Sequence, residues 1–135
     1  MTVKDAIKAR RSVRRFQEKP VLREVIMELL DMARWAPHAN ECWRFVVVQE
    51  QARKEHLADA ARQRWIASAP VIVVVGADLM MRPGISGRWD AYKFRGIFPI
   101  QDTAAAIQNL MLTATEYGLG TCWIGSFNEG DVSNS

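Results

Sequence analysis

Four arginines fall within six positions near the amino end of the chain, in the stretch ARRSVRRFQ (residues 9–17), which we call the arginine segment. A planar guanidinium group can contact phosphate through two N–H groups at once, and Ser12 adds a hydroxyl and a backbone N–H. If the segment is helical, Arg10 and Arg14 share one helix face. Three uses stay open: a solvated or salt-bridged surface, a phosphate site, or nucleic-acid binding.

The positive charge of the chain is local. The formal net charge of the 135 residues is +3, and without the four arginines of this segment the balance turns slightly negative. A general polyanion binder normally carries a basic stripe over a whole face, and a single-strand binder interleaves aromatic with basic residues. We therefore expect no nucleic-acid partner.

Other features predict one domain over residues 1–135 in the cytoplasm. No run of eighteen apolar residues could cross a membrane, and the start MTVKDAIKAR lacks the apolar core of a secretion signal. Cys42 and Cys122 match no metal or redox spacing, which predicts free thiols and no metal site.

Familiar catalytic motifs are missing from the sequence. The stretch GLGTCWIG has Trp123 where a dinucleotide fingerprint needs glycine, and no P-loop, nucleophile elbow or HExxH occurs. His38 lies in a loop, where a structural and a catalytic role are both open, and His56 is expected to be solvated. No carboxylate pair suits general acid–base work. An enzyme with this sequence would therefore need a cofactor to supply its chemistry.

Hydrophobic periodicity predicts helices and strands in alternation. Thr2 and Asp5 form the capping box of a first helix, and Pro37 ends the second. The predicted order is helix 2–10, helix 20–36, strand 44–49, helix 52–66, strand 69–78, loop 79–100, helix 101–118 and strand 120–127. Helix 101–118 has no charge between Asp102 and Glu116, so we expect a second copy of the chain to cover it. The pattern predicts a central sheet flanked by helices, α+β or α/β.

Three blocks resemble, in the same order, those of the FMN-dependent nitroreductase family. They are RRSVRRF, ARWAPHANECWRFVVV and QDTAAAIQNLMLTATEYGLGTCWIGSF, and the resemblance runs from about residue 4 to residue 132. It implies an α+β fold with a central, mostly antiparallel sheet flanked by helices. It also implies an intertwined homodimer that binds FMN at the subunit interface.

The resemblance assigns cofactor-binding roles by position. The arginine–serine block would grip the ribityl phosphate through Arg10, Arg11, Ser12 and Arg14. The second block would reach the flavin edge and the partner's pocket through Pro37, His38, Ala39 and Asn40. Ile124 and Gly125 would lie beside the isoalloxazine ring, with Asn109 as a further candidate. No protein group is assigned as catalytic acid or base.

The implied activity is a ping-pong transfer of hydride from NAD(P)H, through flavin N5, to a nitroaromatic, quinone or similar acceptor. Aromatic residues of the long loop would either wall the substrate slot or pack at the interface: Trp89, Tyr92, Phe94 and Phe98. An alternative is a catalytically weak flavin-binding or regulatory dimer.

Two departures from the family pattern bear on the site. The second block is two residues shorter than usual, with His38 in place of serine. The domain is also expected to lack the family's usual C-terminal helix and strand, which would weaken flavin binding and dimer formation.

Overall fold

The computed structural model describes residues 1–38, 41–79 and 97–135. In this part of the chain, helices surround a two-stranded antiparallel sheet. The helices are α1 (Val3–Ala9), α2 (Arg23–Arg34), α3 (Gln51–Ala60), α4 (Ile97–Glu116) and α5 (Glu129–Ser133). The strands are β1 (Trp43–Val48) and β2 (Ile72–Ala77), and a 3-10 turn spans Arg64–Ser68. These elements agree with the predicted α+β class.

The sheet pairs β1 with β2 in a register that runs from Trp43 opposite Ala77 to Val48 opposite Ile72. Both strands are rich in valine, whose branched side chain suits a pleated surface. The residues of β2 are half-buried, apart from the exposed Gly76. Within the described residues β2 has hydrogen-bonded neighbours on one edge only, which leaves part of its surface open.

The core lies where α2 crosses α4. Ala33 of α2 and Ala106 and Ala114 of α4 are completely buried, so the two helices meet through small side chains. Leu29 and Trp43 close the cluster from α2 and β1. Every residue of α4 from Asp102 to Thr115 is buried or half-buried within one chain. Burial within one subunit therefore explains part of the absence of charge on this helix.

Gly118 ends α4, as the sequence predicts. Its φ of 71° lies in the left-handed region, which glycine adopts without a steric penalty. The N–H of Gly118 donates to the carbonyl of Thr115 (3.0 Å), and the N–H of Leu119 donates to the carbonyl of Ala114 (2.9 Å). This is a Schellman cap, and Leu119 packs on the core cluster beside it.

The predicted helix 52–66 is wrong in its second half. α3 ends at Ala60, and the chain turns through Arg62, at φ 52°, into the 3-10 turn. Tertiary hydrogen bonds favour this break: the Asn128 N–H donates to the carbonyl of Ala60 (2.9 Å), and the ammonium of the buried Lys54 donates to the carbonyl of Ala69 (2.8 Å). Helical periodicity continues across the break and does not reveal it.

Two further predictions about local structure need correction. α1 ends at Ala9, so Arg10 and Arg14 do not share a helix face. Residues 120–127, predicted to form a buried strand, make one β-bridge, and Trp123 is 49% exposed. A strand requires a continuous partner, and the described residues supply a partner at a single position. None of the described helices combines the length and apolar character that a bilayer crossing requires.

The Gly118→Ala variant should lower the free energy of unfolding by about 1 kcal/mol, because an L-residue is strained in the left-handed region. Urea denaturation followed by circular dichroism measures the change. A Cβ at Gly118 would meet no atom within 4 Å, so crowding adds nothing to the loss.

Arg62 provides a matched control, since it occupies the corresponding position after α3 with a side chain already present. Arg62→Gly should leave stability unchanged or raise it. Equal losses from both substitutions would show that backbone conformation is not the cause.

Candidate functional site

A single parallel β-bridge joins the arginine segment to residues 120–127. Ser12 pairs with Thr121, and the N–H of Val13 donates to the carbonyl of Thr121 at 2.9 Å. Residues paired across strands direct their side chains to the same face. The bridge therefore pairs two hydroxyl-bearing residues, Ser12 and Thr121, and joins two segments that are far apart in the sequence.

Gly120 permits this close approach. A Cβ built on Gly120 would lie 3.0 Å from Cβ, Cγ1 and Cγ2 of Val13, closer than side chains normally pack. The first of these atoms is attached to the backbone, so a side-chain rotation cannot move it away. A glycine at position 120 lets the two segments come within hydrogen-bonding distance.

Helix α1 leads directly into the arginine segment and is anchored at its own start. The Thr2 hydroxyl and backbone N–H donate to the Asp5 carboxylate at 2.6 and 3.0 Å, and the Asp5 N–H returns a bond to Thr2. These bonds from Thr2 lower the pKa of Asp5. The predicted capping box is confirmed, and it fixes the helix whose C-cap is Arg10.

Arg11 caps the other end of α1. Its guanidinium donates to the carbonyl of Lys8 and, at 2.8 Å, to the carbonyl of Arg10. The last carbonyls of a helix have no partner within it, and a cation there also interacts favourably with the helix dipole. Arg11 is thus engaged in ending the helix, although it remains next to the candidate phosphate site.

The positive charges of the segment are not neutralised within the described chain. Within the described residues, no carboxylate forms an ion pair with Arg10, Arg11, Arg14 or Arg15. The arginines that do form ion pairs there are Arg34, Arg44, Arg53 and Arg64. The Arg14 guanidinium carbon lies 5.9 Å from the centre of the Trp65 ring, in a cation–π contact. Four cations without counter-ions form a patch that an anion would stabilise.

The 120–127 segment has a polar atom without a partner. Within the described part of the chain, the buried Oγ1 of Thr121 makes no hydrogen bond. Buried polar groups are nearly always satisfied, and a lone hydroxyl is a recognised feature of sites that are completed by another molecule. At Gly125, an added Cβ would meet nothing within 4 Å, so the space in front of that backbone is open.

A cavity of about 1000 Å³ lies beneath these two segments. Val13 and Arg15 line it from one side and Ile124 and Gly125 from another. The rest of its lining is largely apolar and comes from several elements, among them α2, β2, α4 and the 3-10 turn. The described residues contain no group of three or more His, Cys, Asp or Glu side chains that could hold a metal ion.

The second predicted block lies apart from the bridge. Pro37 and His38 are exposed, and His38 packs edge-on against Trp43 with ring centres 5.0 Å apart. Ala39 and Asn40 lie outside the described residues, as do Trp89, Tyr92 and Phe94. The structure thus brings Ser12 together with the segment that carries Ile124 and Gly125, and it shows no contact of Pro37 or His38 with either.

Several other candidates have structural partners. The Asn109 amide donates to the carbonyl of Met32 at 3.4 Å, which joins α4 to α2. His56, expected to be solvated, has Nε2 3.0 Å from the carbonyl of Asp131 and so holds α5 on α3. Both thiols are free, with Cys42 buried and Cys122 half-buried.

Sequence reasoning missed Thr121 and Trp65. Thr121 follows a glycine in a short β-like stretch, and nothing local distinguishes its hydroxyl from that of any other threonine. Trp65 falls within the predicted helix 52–66, whereas the structure places it on the 3-10 turn in contact with Arg14. That contact joins residues far apart in sequence, so no local pattern could reveal it.

Comparison with known proteins shows which family the chain resembles. The model of the nitroreductase family matches residues 7–134. A provisionally named NADH dehydrogenase/NAD(P)H nitroreductase of Methanothermobacter thermautotrophicus is 33% identical in an alignment 130 residues long, which covers 94% of this chain and 62% of the relative. An NADH dehydrogenase of Thermus thermophilus is 36% identical in an alignment 99 residues long, which covers 64% of this chain and 48% of the relative. The chain thus spans about half to two thirds of these relatives.

Solved structures share the fold. A nitroreductase family protein from Clostridium novyi superposes with a TM-score of 0.85 at 27% identity, over 99% of this chain and 75% of that protein. A provisionally assigned nitroreductase from Desulfovibrio desulfuricans, solved in complex with FMN, gives a TM-score of 0.76 at 30% identity, over 92% of this chain and 68% of that protein.

The Gly120→Ala variant should lower the free energy of unfolding by about 1–3 kcal/mol, because the added methyl group forces the two bridged segments apart. Urea denaturation measures the loss, and amide hydrogen exchange at Val13 should accelerate relative to amides within α4.

A double-mutant cycle with Val13→Ala tests the cause. The second substitution removes Cγ1 and Cγ2 and keeps Cβ, so it should recover part of the loss. Strictly additive effects would contradict a clash between these two residues.

Proposed function

The chain belongs to the nitroreductase family, and from this premise we propose that it is an FMN-dependent oxidoreductase. The proposed reaction passes a hydride from NAD(P)H by way of the flavin to a nitroaromatic, quinone or similar acceptor. The names of the relatives and the FMN complex of a similar structure support this assignment.

The observation that carries the proposal is the unneutralised arginine segment held against Thr121. A phosphate monoester carries close to two negative charges and three strong acceptor oxygens. The segment offers guanidinium donors and the Ser12 hydroxyl at a place where the described chain provides no carboxylate. Thr121, with an unsatisfied Oγ1 next to Ser12, is a second hydroxyl at the same bridge. The residues present therefore fit the phosphate end of FMN.

We assign the phosphate contacts to Arg10, Ser12 and Arg14. Arg10 lies at the C-cap of α1, and its side chain makes no hydrogen bond or ion pair within the described residues. Arg11 contributes mainly through the helix end that its guanidinium caps. Its charge, one residue away, still adds to the favourable potential for an anion.

The planar ring would lie along residues 120–127, where Gly125 leaves open space and Ile124 offers an apolar contact. A backbone without a Cβ lets a flat ring come close to its N–H. Ile124 and Gly125 thus have roles in orienting the ring and in keeping water from one of its faces.

Bound FMN would supply the hydride-transfer chemistry between NAD(P)H and the acceptor, in a ping-pong order. The protein residues bind and orient the cofactor, and none is proposed to act as a general acid or base.

A homodimer forms part of the proposal. The block that contains Pro37, His38, Ala39 and Asn40 would serve the partner's site, and the side chains of Pro37 and His38 are exposed. Exposed apolar side chains also suit an interface, among them Trp35 at 77% and Ile100 at 59% exposure.

Arg10→Ala should weaken FMN binding about tenfold or more, because it removes a charge-assisted contact to the phosphate. Flavin fluorescence titration measures the dissociation constant. Riboflavin, which lacks the phosphate, should bind the variant and the wild-type protein equally. Arg11→Ala removes the same charge from the neighbouring residue and should have a smaller effect on FMN.

Anaerobic addition of NADPH or NADH to the FMN complex then tests the activity, since the flavin absorbance should bleach and return when a quinone is added. Binding without bleaching would favour the flavin-binding dimer. A wild-type protein that takes up no FMN in excess would refute the proposal.

A further inference from the structure

Trp65 contacts two residues of the arginine segment. The Arg14 guanidinium carbon lies 5.9 Å from the ring centre, and the Phe16 ring stacks with Trp65 at 6.3 Å between centroids and an interplanar angle of 26°. Residues two apart in an extended stretch project to the same side, which explains how both reach one indole. The arginine segment is thus held at two points, the Thr121 bridge and the Trp65 ring.

The turn that carries Trp65 is itself firmly fixed. The indole Nε1–H donates to Oε1 of Gln63 at 3.1 Å, and the Ser68 hydroxyl donates to the Trp65 carbonyl at 2.6 Å. The buried Lys54 ammonium donates to the carbonyl of Ala69 directly after the turn. An aromatic ring anchored in this way can determine where a long, flexible arginine side chain lies.

We propose that Trp65 is a positioning residue, which holds the Arg14 guanidinium for the phosphate of the cofactor. This inference rests on the proposed function, because it assumes that the segment binds FMN. Trp65 lies on the 3-10 turn and not in the arginine segment, and it touches no reacting atom.

The chemistry of the contact suits this role better than an ion pair would. A carboxylate beside Arg14 would orient the guanidinium but would also cancel the charge that attracts phosphate. An aromatic face attracts the cation through its quadrupole and carries no net charge, so the N–H groups at the guanidinium edge stay available. Trp65 therefore orients Arg14 and preserves its charge.

The test compares FMN with riboflavin in Trp65→Leu and Trp65→Phe proteins. Losing a cation–π contact at a half-exposed site should weaken FMN binding by about two- to fivefold in Trp65→Leu. Riboflavin binding should not change, and Trp65→Phe, which keeps an aromatic face, should recover most of the FMN affinity. A role in folding alone would lower the affinity for both flavins together, and thermal unfolding of each variant reports that separately.

Two controls make the outcome decisive. In an Arg14→Ala background, Trp65→Leu should have no further effect on the ratio of FMN to riboflavin affinity. Phe16→Leu removes the other ring from the same indole and should leave that ratio unchanged. The inference would be overturned if Trp65→Leu left the ratio of FMN to riboflavin affinity unchanged. It would also be overturned if Trp65→Leu lowered that ratio equally in the wild-type and Arg14→Ala backgrounds. Absence of FMN binding by the wild-type protein is a separate result and would overturn the proposed function with it.

Discussion

The hydrogen bond between the Val13 N–H and the Thr121 carbonyl is the contact on which the candidate site depends, because it brings the two ends of the chain together. A single backbone hydrogen bond contributes only about 0.5–1.5 kcal/mol net, too little to hold two segments alone. Its neighbours supply the rest: the bare backbone of Gly120 lets the segments approach, and the Trp65 ring holds the following residues of the arginine segment. The bridge is stable because the elements on either side of it are already fixed.

Those elements are fixed by the core. α4 packs on α2 through alanines, and its Schellman cap at Gly118 reverses the chain so that Leu119 stays on the core and Gly120 arrives at the bridge. On the other side, the Thr2–Asp5 capping box starts α1, and the Arg11 guanidinium closes it. Each segment therefore enters the site from a helix with a well-defined end. A shift of either helix end by one residue would change the register of the bridge and exchange the faces to which the side chains point.

Much of this arrangement could be predicted from the sequence, where the signal was local. The Thr2 cap, the end of α2 before Pro37, the glycine that ends α4 and the two valine-rich strands all follow from short-range chemistry. The break in the predicted helix 52–66 could not be foreseen, since it depends on hydrogen bonds from Asn128 and Lys54 to carbonyls elsewhere in the chain. The site shows the same division. Ser12 and Gly125 are predicted from sequence blocks, whereas the contacts of Thr121 and Trp65 join residues that are far apart in the sequence.

The arginine segment is docked on Thr121 by main-chain atoms, and this has a consequence for how the protein can change over evolutionary time. Substitutions at Arg10 or Ser12, in the proposed phosphate site, change side chains and leave the N–H and carbonyl that dock the segment intact. Ligand preference can therefore change while the backbone contact stays the same. A substitution at Gly120, in contrast, would bring a Cβ against Val13 and disturb that contact. Homologues that bind a cofactor with a different tail should vary at Arg10 and Ser12 and keep Gly120.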